Sequence, residues 1–431
     1  MIVRTSNTRM WKLAFVFPTV LLALGFCPSR VQADETVPGE VLIQLIQGAV
    51  DSEQVDSEKL YKSVERLGPE ILPVLFAVLD TGIIPSVTGA QLLPEEIVSA
   101  LWASFASIPE SDLRRHVSQF ADARYKERTR RTALKVLGSF GRTRDLDLLG
   151  QLSAPEGSSP SSAIGKSFGY AITNFFERDP RALREIQQLY INIHGSLRPT
   201  LIERIGRSAS PERLSILSAI LGRVPLSDPQ VLNQIGVIAS SGRGTSDEYV
   251  RGSVRAYLME KDPLIVQIAA KTAGVLRDEG AISQLIDIVA SDNVQTSPTA
   301  VRALIRICGH NFGTDARRWE HWYSREKAWW QSEASQVFRK LRHSDPGEVA
   351  ASIQLLSTHT LYREELATEL LCVLDRKEPG LRKLGCVILG SLGAEGARNG
   401  LILLLEDPDL EVRLAAKAAV SRLTFRVIPS R

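Results

Sequence analysis

Leu381-Arg382-Lys383-Leu384-Gly385-Cys386-Val387-Ile388-Leu389-Gly390-Ser391-Leu392 aligns without a gap under Val412-Arg413-Leu414-Ala415-Ala416-Lys417-Ala418-Ala419-Val420-Ser421-Arg422-Leu423, 31 residues further along the chain. Between the copies a second apolar run, Ala397 to Leu405, ends at Glu406-Asp407-Pro408. Val412, Ala416, Ala419 and Leu423 fall at i, i+4, i+7 and i+11, one stripe of a helix. The stretch Asp375–Leu423 therefore reads as a helix, a tight turn, a second helix and the next copy of the first. A period of this size means that no unit buries its own core and each leans on its neighbours. The fold class predicted is all-α, an α-solenoid of stacked antiparallel helix pairs.

Working outward, the same punctuation recurs. Asp179-Pro180, Asp228-Pro229, Asp262-Pro263, Asp345-Pro346 and Asp407-Pro408 each precede an apolar-periodic run, as do Ser210-Pro211 and Ser297-Pro298. Asp or Ser can accept from orphan helix N–H groups, and proline fits the first helical position because its missing N–H costs nothing there. After Asp262-Pro263, Val266 to Ala273 follows Val412 to Ala419 nearly position by position, Gly280 to Ala290 supplies the partner helix, and Ser297-Pro298 restarts the cycle after 35 residues. Toward the N-terminus, Gly68 to Leu79 reads as a second helix of a repeat. Thr129 to Phe140 reads as a first helix, with Ala133, Val136, Leu137 and Phe140 inward. Thr81 to Pro94, Ser153 to Ser162 and Ser240 to Ser246 are expected loops, the last ending in a Thr245–Glu248 capping box. No strand or hairpin pattern interrupts the series.

The Asp-Pro start, Val412-Arg413, the Ala-rich helix and the 31-residue step resemble HEAT repeats of the short, phycobilin-lyase type. The resemblance is specific for residues 375–424, good for 262–309 and weak before about residue 125. It implies a HEAT/armadillo-like superhelix. Gly309-x-x-Phe312-Gly313-x-Asp315-x-x-x-Trp319-x-x-Trp322 is in turn similar to a motif between the repeats of exported bacterial HEAT proteins. It implies shared architecture and no activity.

A chain of 431 residues with 44% hydrophobic and 23% charged content is that of a folded protein with several domains or one extended array. Its first 33 residues differ in kind. Arg4, Arg9 and Lys12 precede an apolar run from Leu13 to Phe26, and Val31-Gln32-Ala33 stands before Asp34-Glu35. That order predicts a secretory signal peptide cut after Ala33, with an uncleaved anchor as the alternative. The run is too short for a comfortable membrane span, so no stable span is expected after cleavage. Four of the 52 basic residues and none of the 49 acidic ones lie in this leader, leaving 48 against 49. A generally basic, nucleic-acid-seeking protein is not what remains. The organisation expected is a leader over 1–33, HEAT-like repeats over 34–309, a Trp-rich helical insert over 310–345, C-terminal repeats over 346–425 and a tail over 426–431.

The candidate sites are few. Trp319, Trp322, Trp329 and Trp330 lie within twelve residues, with Tyr323 beside them and seven basic residues between Arg317 and Arg342. Trp319, Trp322, Tyr323 and Trp330 share one helical face, continued by Val337 and Leu341. Two readings stand: rings that plug a break in the array as core, or an exposed aromatic-basic binding patch of Trp319, Trp322, Tyr323, Trp329, Trp330, Arg317 and Arg318. Arg124, Arg128, Arg131 and Lys135, spaced 4, 3 and 4, read as a solvated outer face, with a phosphate-tracking groove as the sharper alternative. Gly165-Lys166-Ser167-Phe168-Gly169 lacks both the strand of a nucleophile elbow and the first glycine of a phosphate loop. Cys308, Cys372 and Cys386 form no disulfide framework, and the six histidines show no metal-ligand spacing. No catalytic, metal or cofactor residue is assigned, and no enzyme is expected. The function expected is an exported scaffold that binds an unidentified protein partner through an extended surface, with no nucleic acid involved. A lyase-like HEAT enzyme on a small ligand, or a polysaccharide binder using the Trp-rich segment, are the alternatives.

Overall fold

A computed structural model describes residues 38–52, 55–86, 89–155, 158–241, 247–291 and 293–424. The expected leader and the tail over 426–431 lie outside the described residues. These fall into two compact units, one up to Arg204 and one from Ile205 onward. The first holds helices α1 (Pro38–Val50), α2 (Ser57–Glu65) and α3 (Leu72–Thr81), then a hairpin of β1 (Ile83–Ser86) and β2 (Gly89–Leu92). There follow α4 (Glu95–Ala103), α5 (Glu110–Ser118), α6 (Glu127–Phe140), α7 (Leu146–Ser153), α8 (Ser162–Arg178), α9 (Ile186–Asn192) and α10 (Arg198–Arg207). The second unit begins in the last turn of α10. It holds α11 (Arg213–Ile220), α12 (Asp228–Ser240), α13 (Glu248–Arg255), α14 (Pro263–Leu276), α15 (Ile282–Ala290), α16 (Ser297–Cys308) and α17 (Ala316–Ser332). It ends with α18 (Ala334–Lys340), α19 (Pro346–Ser357), α20 (Arg363–Leu370), α21 (Pro379–Leu392), α22 (Arg398–Leu403) and α23 (Leu410–Thr424). The fold is an all-α helical repeat.

Within each unit, first helices pack along first helices. In the first unit α6 lies along α8, with α7 as the intervening second helix. In the second, α12 lies along α14, α14 along α16, and α21 along α23. The small residues of these helices explain how close they come. A Cβ placed on Gly138 would fall 2.6 Å from the Ala171 Cα, and one on Gly274 would fall 2.8 Å from the Ala303 Cα. Real Cβ atoms do not tolerate such distances, so only a hydrogen fits between the two backbones. Val412, Ala416, Ala419 and Leu423 are all buried, as their spacing predicts, and share one core with residues reaching back to Trp329.

The 31-residue repeat is repeated in hydrogen bonds. Arg382 Nη1 donates to the carbonyls of Arg376 and Lys377 at 2.8 and 3.0 Å. Arg413, its counterpart, donates from Nη1 to those of Asp407 and Pro408 at 2.7 and 3.0 Å. Each arginine thus satisfies the turn six and five residues before it. Arg382 also forks onto Asp407 of the following turn, at 2.7 and 2.8 Å, joining one repeat to the next. Beside the guanidinium, the Asp407 carboxyl is held below the usual carboxylate range.

Asp179, Asp262 and Asp345 cap as expected, accepting from the N–H groups of Arg181, Leu264 and Gly347. Two acids do further work. Asp228 accepts from the Gly222 N–H and the Tyr257 hydroxyl. Asp407 accepts from the Asp409 N–H as the other acids do but also holds Arg382, and Asp409 takes the Glu411 and Val412 N–H groups at the start of α23. The expected Thr245–Glu248 box is also corrected. Thr245 lies outside the described residues, and Asp247 accepts from the Val250 N–H at 2.9 Å. The stretch expected as a loop over Thr81 to Pro94 contains the β1–β2 hairpin, with Ile83 opposite Leu92 and Ser86 opposite Gly89. Gly82, at φ +67°, turns the chain out of α3, and Ile84 anchors the ribbon in the core. Pro85 breaks the alternation that would have announced a strand.

In the first unit the His116 ring sits between Phe76 and Phe120, with centroids 5.1 Å from each, and burial pushes its pKa down to about 4. An unfolded histidine binds its proton near pH 6.5, so the unfolded state is favoured progressively as pH falls from there to about 4. Replacing His116 with Phe is expected to raise the melting temperature relative to wild type by an increment that grows as pH is lowered from about 7 to about 4.5. Melting curves across that range check it, and a constant increment would contradict it.

Candidate functional site: the Trp-rich helix and the grooves between first helices

α17 takes the place of a second helix, packing against α15 and leading through α18 to α19. The Gly309–Trp322 motif is explained by the turn that starts it. Gly309, at φ +81°, closes α16, Gly313 stands at φ +58°, and Asp315 caps α17 by accepting from the Arg318 N–H. The Trp319 indole donates from Nε1 to the Gly313 carbonyl at 2.8 Å, and Phe312 meets its ring edge-on at 4.8 Å. Every fixed residue of the motif through Trp319 shapes the turn or fills it.

The candidate residues divide by depth. Trp319 and Trp329 are buried. Trp322, Tyr323 and Trp330 are half-buried, and Arg317 and Arg318 are exposed. Trp329 stacks on His359 at 3.5 Å, Trp330 stacks on Tyr362 at 4.4 Å, and Trp322 leans on His310 at 5.2 Å. The four indoles do not form one exposed surface. What reaches solvent is the two arginines and the outer edges of Trp322, Tyr323 and Trp330. The helical face is not continued by Val337 and Leu341 on the same helix, because α17 ends at Ser332. Both residues are buried through α18 and its end.

Behind these rings lies a polar cluster that no sequence spacing announces, since its members come from four separate elements. His359 Nδ1 is 3.2 Å from both carboxylate oxygens of Glu326. Tyr362, at φ +60°, donates its N–H to Glu279 Oε2 at 3.2 Å, and Arg363 Nε lies 3.4 Å from Glu279 Oε1. Arg363 also donates to the Ile307 carbonyl, and Thr360 Oγ1 to that of Cys308 at 2.7 Å. Burial raises the Glu279 carboxyl and the Tyr323 and Tyr362 phenols above their ordinary values. These bonds fix the α19–α20 turn to the end of α16, and the left-handed backbone of Tyr362 is held by them. The thiols of Cys308 and Cys386 are buried and pushed up to about 11, which leaves them protonated and unreactive. Among the described residues the three cysteines are free, and no group of His, Cys, Asp and Glu is placed to hold a metal ion.

The basic cluster of Arg124, Arg128, Arg131 and Lys135 splits in two. Arg124 pairs with Asp122 at 2.8 Å and Arg128 donates to the Thr81 carbonyl at 2.8 Å. Arg131 and Lys135 instead face a groove of about 940 Å³ between α6 and α8, lined also by Trp102, Phe140, Lys166 and Tyr170. Lys166 reaches it because Gly165 to Gly169 lies inside α8, in neither an elbow nor a phosphate loop. A smaller groove of about 430 Å³ separates α14 from α16 in the second unit, lined by Gln267, Lys271, Thr299, Arg302 and Arg306. Among the described residues no carboxylate is paired with the cations of either groove.

Neither a protein-family model nor a curated protein matches the sequence. Solved structures that it resembles include an engineered protein, at 14% identity and a TM-score of 0.24, covering 90% of this chain and 99% of that one. Human deoxyhypusine hydroxylase in complex with glycerol is similar at 15% identity and a TM-score of 0.24, covering 67% of this chain and 98% of that one. The karyopherin Kap121p, bound to the extreme C-terminus of the protein phosphatase Cdc14p, is similar at 11% identity and a TM-score of 0.37. That match covers 98% of this chain and 49% of the karyopherin. Likenesses at these levels bring no activity or partner to this chain.

Depth separates the roles of the Trp-rich residues in a measurable way. Trp319→Ala is expected to cost about 3–5 kcal/mol of stability, as for other fully buried tryptophans. Arg317→Ala should stay within about 0.5 kcal/mol of wild type. Urea denaturation of both variants checks this, and equal midpoints would contradict the assignment of Trp319 to the core.

Proposed function

We propose that the chain is an exported scaffold of HEAT type that binds another protein along the exposed face of its first helices. The observation that carries this reading is the pair of grooves between neighbouring first helices. Each is open to solvent, and each is lined by cations whose charge no described carboxylate neutralises. Lysines and arginines on a solvated helix face need no partner, but cations gathered at a concave groove raise the local potential toward a negatively charged partner. Helical-repeat proteins use such extended surfaces for binding. Support for the HEAT type comes from the 31-residue step and from the paired roles of Arg382 and Arg413. Support for export comes from the order of charge, apolar run and small residues over positions 1–33, which lie outside the described residues. The exposed arginines and ring edges of α17 add a second surface to the same reading.

The test is affinity capture from the exported fraction with the chain from Asp34 onward, beside a Lys271→Glu, Arg302→Glu variant whose melting temperature is first shown to match. The variant is expected to lose proteins that the wild type retains. Recovery of the same proteins in the same amounts would overturn the proposal.

A further inference from the structure

The groove between α6 and α8 differs from its smaller counterpart in one respect, and the difference specifies a ligand. Three cations, Arg131, Lys135 and Lys166, share it with three aromatic side chains, Trp102, Phe140 and Tyr170. Lys135 and Lys166 are exposed. Arg131 is half-buried, and its Nε has no hydrogen-bond partner. The nearest acid on α6, Glu127, is engaged at the start of α8, where it accepts from Ser161 Oγ at 2.6 Å. Tyr170 keeps half of its surface in water. With no described carboxylate paired to it, the Arg131 guanidinium is free to meet an arriving anion.

We infer that this groove receives an extended acidic peptide segment bearing an aromatic or other large apolar side chain. Its carboxylates meet Arg131, Lys135 and Lys166, and its apolar side chain lies against Trp102 and Tyr170. Three charge contacts suit a short peptide. They are too few to hold a nucleic-acid backbone tightly at physiological salt, where each phosphate contact is diluted by counterion competition. The groove is open to solvent and not an enclosed chamber, which fits a peptide segment better than a compact small molecule. The rings supply area at low entropic cost, and arginine beside tyrosine and tryptophan is the composition of binding hot spots. The groove in the second unit has cations and no rings, so it does not share this preference.

The inference rests on the reading of the chain as a protein-binding scaffold, and its test is separate from the capture experiment, which alters the other groove. Fluorescence anisotropy with the chain from Asp34 onward would use three labelled probes: a short glutamate/phenylalanine peptide, its glutamate/alanine analogue and its glutamine/phenylalanine analogue. Saturable binding of the first is expected, with each analogue at least about tenfold weaker. A Lys135→Glu, Lys166→Glu variant should weaken the first probe by at least about tenfold, while Lys59→Glu, away from the groove, leaves it unchanged. Tyr170→Ala, at an exposed position, should remove most of the difference between the phenylalanine and alanine probes. Melting temperatures equal to wild type exclude misfolding as the cause. No saturable binding, equal binding by the double lysine variant, or displacement of the probe by a single-stranded oligonucleotide at lower concentration than the unlabelled peptide would each overturn the inference. Any of these would leave the result at Lys271 and Arg302 standing on its own.

Discussion

The structure depends on how closely the backbones of successive first helices approach. Leucine or isoleucine at the crossing would hold two helices at the usual separation of about 8–10 Å. Glycine opposite alanine removes that padding, as at Gly138 and Ala171, Gly274 and Ala303, and Gly390 and Ala419. Close approach lets the larger side chains on either side of the contact turn inward together. No single hairpin could bury Val412, Ala416, Ala419 and Leu423 alone, and in the second unit they join a core that extends to Trp329. Specific polar bonds then set the register. Arg382 satisfies its own turn and grips Asp407 of the next, so the step between these repeats is fixed by charge as well as by packing.

The same geometry produces the surface. When first helices run side by side, their outward residues line the shallow channels between them. Lys135 faces Lys166 and Tyr170 across one channel, and Lys271 faces Arg302 and Arg306 across another. At the starts of these helices Glu127 accepts from Ser161 Oγ and Asp262 caps α14, and neither pairs with a cation of the channels. Positive charge is therefore left on the channels although residues 34–431 taken together are nearly neutral. Local arrangement, and not net charge, makes the grooves attractive to an anionic partner.

Much of this is legible in the residues themselves. The 31-residue alignment carries the helical repeat and the inner stripe, and five of the seven Asp-Pro and Ser-Pro pairs stand at the starts of α12, α14, α16, α19 and α23. What a periodicity cannot show is which of several acids performs a given task, since Asp407 and Asp409 are equally good caps by composition and only the reach of Arg382 separates them. Nor can spacing decide the depth of the tryptophans. Trp319 is drawn inward by Gly313, whose carbonyl it needs, while Trp322 three residues on stays half in solvent. The β1–β2 ribbon is hidden by Pro85. The α6–α8 groove is invisible in the sequence because its cations come from two motifs, the arginine cluster and Gly165 to Gly169, that each fail as a site when read alone.

The central claim is that contact between first-helix backbones carries the array, and it is tested most directly at the best-matched repeat. A Cβ on Gly390 would lie 2.8 Å from the Ala419 Cβ and 2.9 Å from its Cα. Chemical denaturation of Gly390→Ala, Ala419→Gly and the double variant measures the coupling between the two positions. Gly390→Ala is expected to destabilise by about 1–3 kcal/mol despite its better helix propensity, and the double variant to recover part of that loss. A Gly390→Ala protein as stable as wild type or more so, with no coupling to Ala419, would contradict the account.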